Sequence, residues 1–223
     1  MKGLGELSLW MDPVARPGPE SMAVDEWLLE TAGKPVLRVY RWSGNWASLG
    51  YFGEIEGARA AVPGVNYVRR WTGGGLVDHR ADWTYSVIVP RDEALARARG
   101  AESYRIIHAA LVEALAAERI LANLSDGGSE TGAALCFANP VSHDLVGRDG
   151  LKLAGAGQRR TRLGLLHQGS AAVACDPAGS TVRGERLAEA LSSSWSACQL
   201  LPDPGLIRTM AVRYQRLGWV ERR

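Results

Sequence analysis

The chain has 223 residues, 46% of them hydrophobic and 22% charged, with a formal net charge of +2. That length supports a buried core and a single domain over residues 1–223, and so small a net charge argues against an extended nucleic-acid footprint. No apolar run is long enough for a transmembrane helix, the N-terminus lacks the form of a secretory signal, and three cysteines at irregular spacing point to a reducing cytoplasm rather than a disulfide framework.

Residues 20–31 place Met22, Ala23, Trp27 and Leu28 on one helical face, with Gly33 as a stop. Segments 35–42 and 46–52 read as strands, and Ser43-Gly44-Asn45 between them reads as a hairpin turn. A short helix over 54–61 ends at Pro63-Gly64. Strands over 66–70 and 83–90 flank Thr72-Gly73-Gly74-Gly75. A long helix over 101–120 carries Ile106, Ile107, Ala110, Leu111 and Leu115 on one side. Residues 125–133 form a Gly-rich polar loop, strands follow over 142–146, 152–159 and 163–174, and Arg148-Asp149-Gly150 turns between the first two. Helices over 182–191 and 204–217 close the domain. Strands mixed with helices, without regular βαβ alternation, indicate an α+β fold, a mixed and largely antiparallel sheet packed with helices.

The densest chemistry lies in Arg69-Arg70-Trp71-Thr72-Gly73-Gly74-Gly75-Leu76-Val77-Asp78-His79. Three successive residues without Cβ either make a tight turn or let a ligand approach bare backbone; two preceding cations and a following histidine favour the ligand. Of 26 basic residues only Lys2, Lys34 and Lys152 are lysines. A lysine persisting in so arginine-rich a chain is either an accident or the mark of a task that a guanidinium cannot perform. Lys152 stands in Leu151-Lys152-Leu153-Ala154-Gly155-Ala156-Gly157-Gln158. Cys136, in Cys136-Phe137-Ala138-Asn139-Pro140, is either a small buried hydrophobe or a thiol that a nearby cation activates by lowering its pKa. His79 and His167 could orient a ligand or hydrogen-bond within strands; His108 reads as structural or exposed, and His143 is a candidate base. Arg159, Arg160 and Arg162 form either a solvated patch or a partner-facing one. No Cys/His spacing matches a metal site.

These blocks together resemble the biotin/lipoate protein ligase superfamily, in its lipoate branch. The resemblance rests on Met22-Ala23-Val24-Asp25-Glu26, on Leu37 to Trp42 with Ser48-Leu49-Gly50-Tyr51, and on Arg70, Thr72, Gly73, Gly74, Gly75 and His79. It continues through Lys152, Gly155, Ala156 and Gln158 to His167-Gln168-Gly169-Ser170, spanning roughly residues 20–220. It implies a ligase-like catalytic domain in which Cys136 and Lys152 are catalytic. Arg70, Thr72, Gly73, Gly74, Gly75, His79, Gly155, Ala156, Gln158, His167 and Gly169 would bind substrate. Cys136-Phe137 with Pro140 is similar to the octanoyltransferase class whose cysteine precedes the lysine, and residues 164–167 contain no cysteine.

The implied activity is transfer of an octanoyl or lipoyl chain through a cysteine acyl-enzyme, with no cofactor. The donor would be acyl carrier protein or an acylated lipoyl protein. The acceptor would be a lysine of a lipoyl-domain protein, glycine cleavage H protein or a 2-oxoacid dehydrogenase E2. Two alternatives accompany it: an ATP- and Mg-dependent lipoate-protein ligase, and a non-catalytic binder of lipoyl domains.

Overall fold

The computed structural model describes residues 2–127 and 140–222. Eleven strands are seen among these residues: β1 (Leu4–Met11), β2 (Val36–Tyr40), β3 (Trp46–Leu49), β4 (Asn66–Arg69), β5 (Val77–Asp78), β6 (Trp83–Pro90), β7 (Ala122–Leu124), β8 (Leu145–Gly147), β9 (Lys152–Thr161), β10 (Gly164–Ala171) and β11 (Ser192–Ala197). The helices are α1 (Gly18–Thr31), α2 (Ile55–Ala61), α3 (Ala94–Arg97), α4 (Gly100–Ala117), α5 (Pro177–Leu191), α6 (Pro204–Gln215) and α7 (Leu217–Val220). Among the described residues no helix is long and apolar enough to cross a membrane.

Eight strands form one sheet in the order β11-β1-β2-β6-β10-β9-β8-β7, and β4-β3-β5 form a second. In the large sheet β1 runs parallel to both β11 and β2, and the strands from β2 to β7 pair antiparallel. The α+β expectation therefore holds. Both faces of the sheet are covered, so its central strands are buried along their whole length rather than alternating in and out. Leu7, Leu9, Leu37, Tyr85, Val87 and Leu165 pack with Ile107 and Leu111 of α4 and Leu187 of α5. Trp10, Val36, Ile88 and Leu166 pack on the opposite face with Leu28 of α1 and Ile207 and Tyr214 of α6.

Local signals fix most helix ends. Pro19 occupies the first turn of α1. Asp176 caps α5 by accepting from Gly179 N, so that helix starts five residues before the apolar pattern suggests. Asp203 likewise caps α6. Helix α4 stops at Ala117 rather than Ile120 because Arg119 takes a left-handed conformation, φ 62°. The 142–146 segment becomes extended only at Leu145, since His143 is also left-handed, φ 69°.

The hairpin expected across Ser43-Gly44-Asn45 does not form. Both edges of β2 are already occupied, by β1 and β6, so β3 has nowhere to pair and enters the small sheet. There it lies parallel to β4 through the α2 crossover and antiparallel to β5. This departure brings the Gly-rich loop over the large sheet. A Cβ on Gly50 would stand 1.8 Å from Gly74 O, so only glycine allows the end of β3 to approach the loop.

Candidate active site

The site lies where the loop after β4 crosses β9 and β10. Arg70 is buried, and its guanidinium donates to Ser48 O (2.9 Å), Gly73 O (2.9 Å) and Gly75 O (2.8 Å). The loop thus folds around its own arginine, with Gly74 at φ 94°. Its preceding neighbour Arg69 does a different job. It donates to the carbonyls of Gly50, Gly53, Val220 and Arg222, tying the C-terminal turn to the end of β3. The two cations of the motif therefore build the loop from opposite sides.

Thr72 donates to Gln168 Oε1 at 2.8 Å, and Gln168 Nε2 donates to Asp25 Oδ2 at 2.7 Å. Asp25 pairs with Arg38 at 2.7 Å, and Arg38 also holds Asp12 at 2.9 Å, all in the core. Two buried carboxylates around one buried guanidinium satisfy the requirement that interior charges be paired and hydrogen-bonded. The loop is anchored through them to α1 and β2.

Beneath the loop is a narrow, open pocket lined by Met22, Tyr40, Trp42, Ser48, Arg70, Val77, His79, Thr84, Gly155–Gly157 and Gln168–Ser170. Its walls mix apolar and polar groups. His79 stacks on Trp42 with centroids 4.0 Å apart. Its Nδ1 donates to Asp82 Oδ2 at 2.7 Å, and its Nε2 lies 2.7 Å from Ser48 Oγ. Ser170 and Thr84 also donate to Asp82. The histidine is thereby fixed in the pocket wall.

Lys152 reaches the same wall from its other side. Between β8 and β9 the register slips: Val146 opposes Lys152 and Leu145 opposes Ala154, leaving Leu153 as an extra residue. The resulting bulge sets the Lys152 ammonium beside Gly155, where a Cβ would meet Nζ at 2.7 Å and Cε at 2.5 Å. Nζ is 2.6 Å from Asp144 Oδ2, both side chains being buried. Asp144 also accepts from Val141 N at 2.8 Å and from Tyr104 OH at 2.5 Å.

Arg70, His79, Gly155, Ala156 and Gly169 thus line one pocket, with Lys152 beside Gly155 and with Thr72 and Gly73–Gly75 as the cover: a Cβ on Gly157 would strike Gly73 O at 2.3 Å. Gln158 and His167 do not join them. They face α4, where Gln158 Nε2 donates to His167 Nδ1 at 3.0 Å and Gln158 Oε1 accepts from Ser103. The amide of Ala156 donates to Tyr104 OH at 2.9 Å, so it is already engaged rather than open to a substrate oxyanion.

His108, on α4, is fully buried; desolvation pushes its pKa down to about 4, and its Nδ1 donates to His143 O at 2.6 Å. His167 is held well below the usual histidine range, chiefly by burial. Both rings are neutral packing elements behind the site. Cys136 lies outside the described residues. Of the arginine patch, Arg159 is half-buried between Tyr51 and Trp71, while Arg160 and Arg162 are exposed.

Sequence reasoning passed over Ser48, Asp82, Tyr104 and Asp144 as site residues. Polar residues within strands next to glycines were the available signal for Ser48; nothing local distinguishes Tyr104 on its helix.

Fold and site together define a domain with a Gly-rich cover over an open pocket and one buried lysine behind the pocket wall. The chain belongs to the family of the lipoyl protein ligase A/B catalytic domain, whose model matches residues 17–195. It is similar to the octanoyltransferase LipM of Symbiobacterium thermophilum, 36% identical over 176 residues that cover 72% of this chain and 63% of that protein. It is also similar to the octanoyltransferase LipM of Brevibacillus brevis, 34% identical over 166 residues, covering 67% and 60%. The matched regions span about three fifths of the length of these relatives.

Two solved structures share the fold. One is the bipartite lipoate protein ligase system of Thermoplasma acidophilum, with a TM-score of 0.70, 19% identity, and 97% and 96% of the two chains covered. The other is a lipoate-protein ligase A bound with ATP, with a TM-score of 0.72, 21% identity, and 98% of each chain covered.

Proposed function

We propose that this protein is an octanoyltransferase of protein lipoylation, working by a ping-pong mechanism. The observation that carries the proposal is the buried Lys152 ammonium, fixed by Asp144 against Gly155 at the pocket wall. Similarity to two octanoyltransferases named LipM supports the choice of acyl group.

In the first half-reaction the Cys136 thiolate attacks the carbonyl carbon of an octanoyl thioester. The carbon–sulfur bond to the carrier breaks, and the carrier thiolate leaves and takes up a proton. Lys152, as a cation, favours the thiolate and donates a hydrogen bond to the carbonyl oxygen as negative charge develops there. In the second half-reaction the neutral amine of a target lysine attacks the acyl-enzyme. An amide forms, the cysteine sulfur leaves, and the amine proton is lost to solvent.

Exchange between thioesters is nearly isoenergetic and amide formation is downhill, so the reaction needs no nucleotide or other cofactor. The donor is an acyl carrier protein or an acylated lipoyl protein. The acceptor is the lysine of a lipoyl domain, in a glycine cleavage H protein or a 2-oxoacid dehydrogenase E2. Arg70, Thr72 and Gly73–Gly75 cover the chain, and His79 and Gly169 line its pocket.

The test is reconstitution from octanoyl-carrier protein and an apo lipoyl domain, with and without ATP and Mg²⁺. Octanoylation of the domain without nucleotide is the expected result. Modification only from free acid with ATP and Mg²⁺ would transfer the assignment to ligation.

A further inference from the structure

Resting on the acyl-transfer assignment above, we propose that Tyr104 and Asp144 are positioning residues that hold Lys152, as an ammonium, against the pocket wall. Neither residue belongs to the glycine or lysine segments. Tyr104 projects from α4, and Asp144 sits in the turn before β8, forty residues further along the chain.

Three bonds make the arrangement a single unit. Asp144 Oδ2 takes Lys152 Nζ at 2.6 Å, and Asp144 Oδ1 takes Tyr104 OH at 2.5 Å. The same phenol oxygen accepts the Ala156 amide at 2.9 Å. Tyr104 therefore fixes a carboxylate and the strand β9 at once, and the lysine lies between them on that strand. A charged side chain carried by four rotatable methylenes needs such a frame to hold one position.

Among the described residues, the groups linked to this unit are Tyr104 and His108 on α4, and His143 and Asp144 in the turn before β8. His108 sits near enough for Lys152 to contribute to its depressed pKa, so burial keeps that ring uncharged beside the ammonium. His167, behind His108 at 5.4 Å between centroids, is likewise neutral. Among the described residues, the carboxylate of Asp144 pairs with the buried ammonium.

The chain's three lysines make a direct test practical. Protein labelled with ¹³C at lysine Cε gives three lysine environments, and Lys152→Arg identifies the one of interest. The expected result is that Asp144→Asn displaces the Lys152 Cε resonance at neutral pH, leaving those of Lys2 and Lys34 unmoved. Tyr104→Phe is expected to displace the Lys152 Cε resonance at neutral pH. In acyl transfer it should lower kcat about tenfold at an unchanged KM, the scale of one charge-assisted hydrogen bond.

Tyr104→Phe also guards against a folding failure in Asp144→Asn, because it keeps the ring in place. Unaltered Lys152 signals in both variants overturn the proposal. A change with Asp144→Asn alone removes Tyr104 from it. Altered Lys152 signals in a protein whose unsubstituted form transfers no acyl group would keep the positioning unit and refute the acyl-transfer function instead.

Discussion

Gly155→Ala is the sharpest perturbation of the proposed centre, because it adds one methyl group and deletes nothing. The new Cβ would lie 2.5 Å from Lys152 Cε and 2.7 Å from Nζ. Comfortable carbon contacts begin near 3.5 Å, so the end of the lysine must withdraw by roughly 1 Å. That displacement stretches the 2.6 Å contact with Asp144 to the limit of a hydrogen bond. A misplacement of this size costs about 10²-fold in rate when it falls on a reacting group. The backbone has no objection to alanine here, since Gly155 is not among the glycines with positive φ. The variant should therefore melt within a few degrees of the unsubstituted protein. The assay is octanoyl transfer to a lipoyl domain at saturating donor, with melting followed by circular dichroism. A kcat within threefold of the unsubstituted enzyme, in a normally folded variant, would refute the role given to the Lys152 position.

Other substitutions separate the pocket cover from the core. Arg70→Lys cannot reproduce the bonds to Ser48, Gly73 and Gly75, so KM for the acyl donor should rise at least tenfold in steady-state kinetics. Arg38→Met leaves buried Asp25 without its cation and Asp12 with Arg16 alone, and should cost about 3–5 kcal/mol in urea unfolding. Acid should weaken the fold through its buried histidines. His108, at about 4 when folded, gains its proton more readily when unfolded. Its contribution is intact above about pH 6.5 and is lost as pH falls toward 4, by about 3 kcal/mol in total, with His167 acting in the same direction. Urea midpoints measured from pH 7 to 4.5 should fall steadily, and less steeply in His108→Asn.

Much of the site was legible because its demands on backbone and charge are local. A run of three glycines after two arginines, and a lone lysine in a glycine-rich strand, each announce an unusual requirement at one position. Helices α1 and α4 were readable for a similar reason, their apolar residues recurring at helical spacing. What escaped depends on partners distant in sequence. The polar strand β11 exists because β1 offers it an edge, and its own Ser192-Ser193-Ser194 carries little strand signal. Segments 35–42 and 46–52 look like a hairpin until β1 and β6 are known to occupy both edges of β2. Tyr104 and Asp144 acquire meaning only when α4 is laid against β9. His167 and Gln158, attractive as polar residues among glycines, are turned by strand alternation toward the helix and away from the pocket.

The most direct test of the central claim is the intact mass of the purified protein after incubation with octanoyl-carrier protein in the absence of ATP. The account predicts a single octanoyl adduct that maps to Cys136, is cleaved by hydroxylamine, disappears on addition of an apo lipoyl domain, and is missing from Cys136→Ser. A protein that acquires no adduct, yet modifies the lipoyl domain once free octanoate, ATP and Mg²⁺ are supplied, would contradict it.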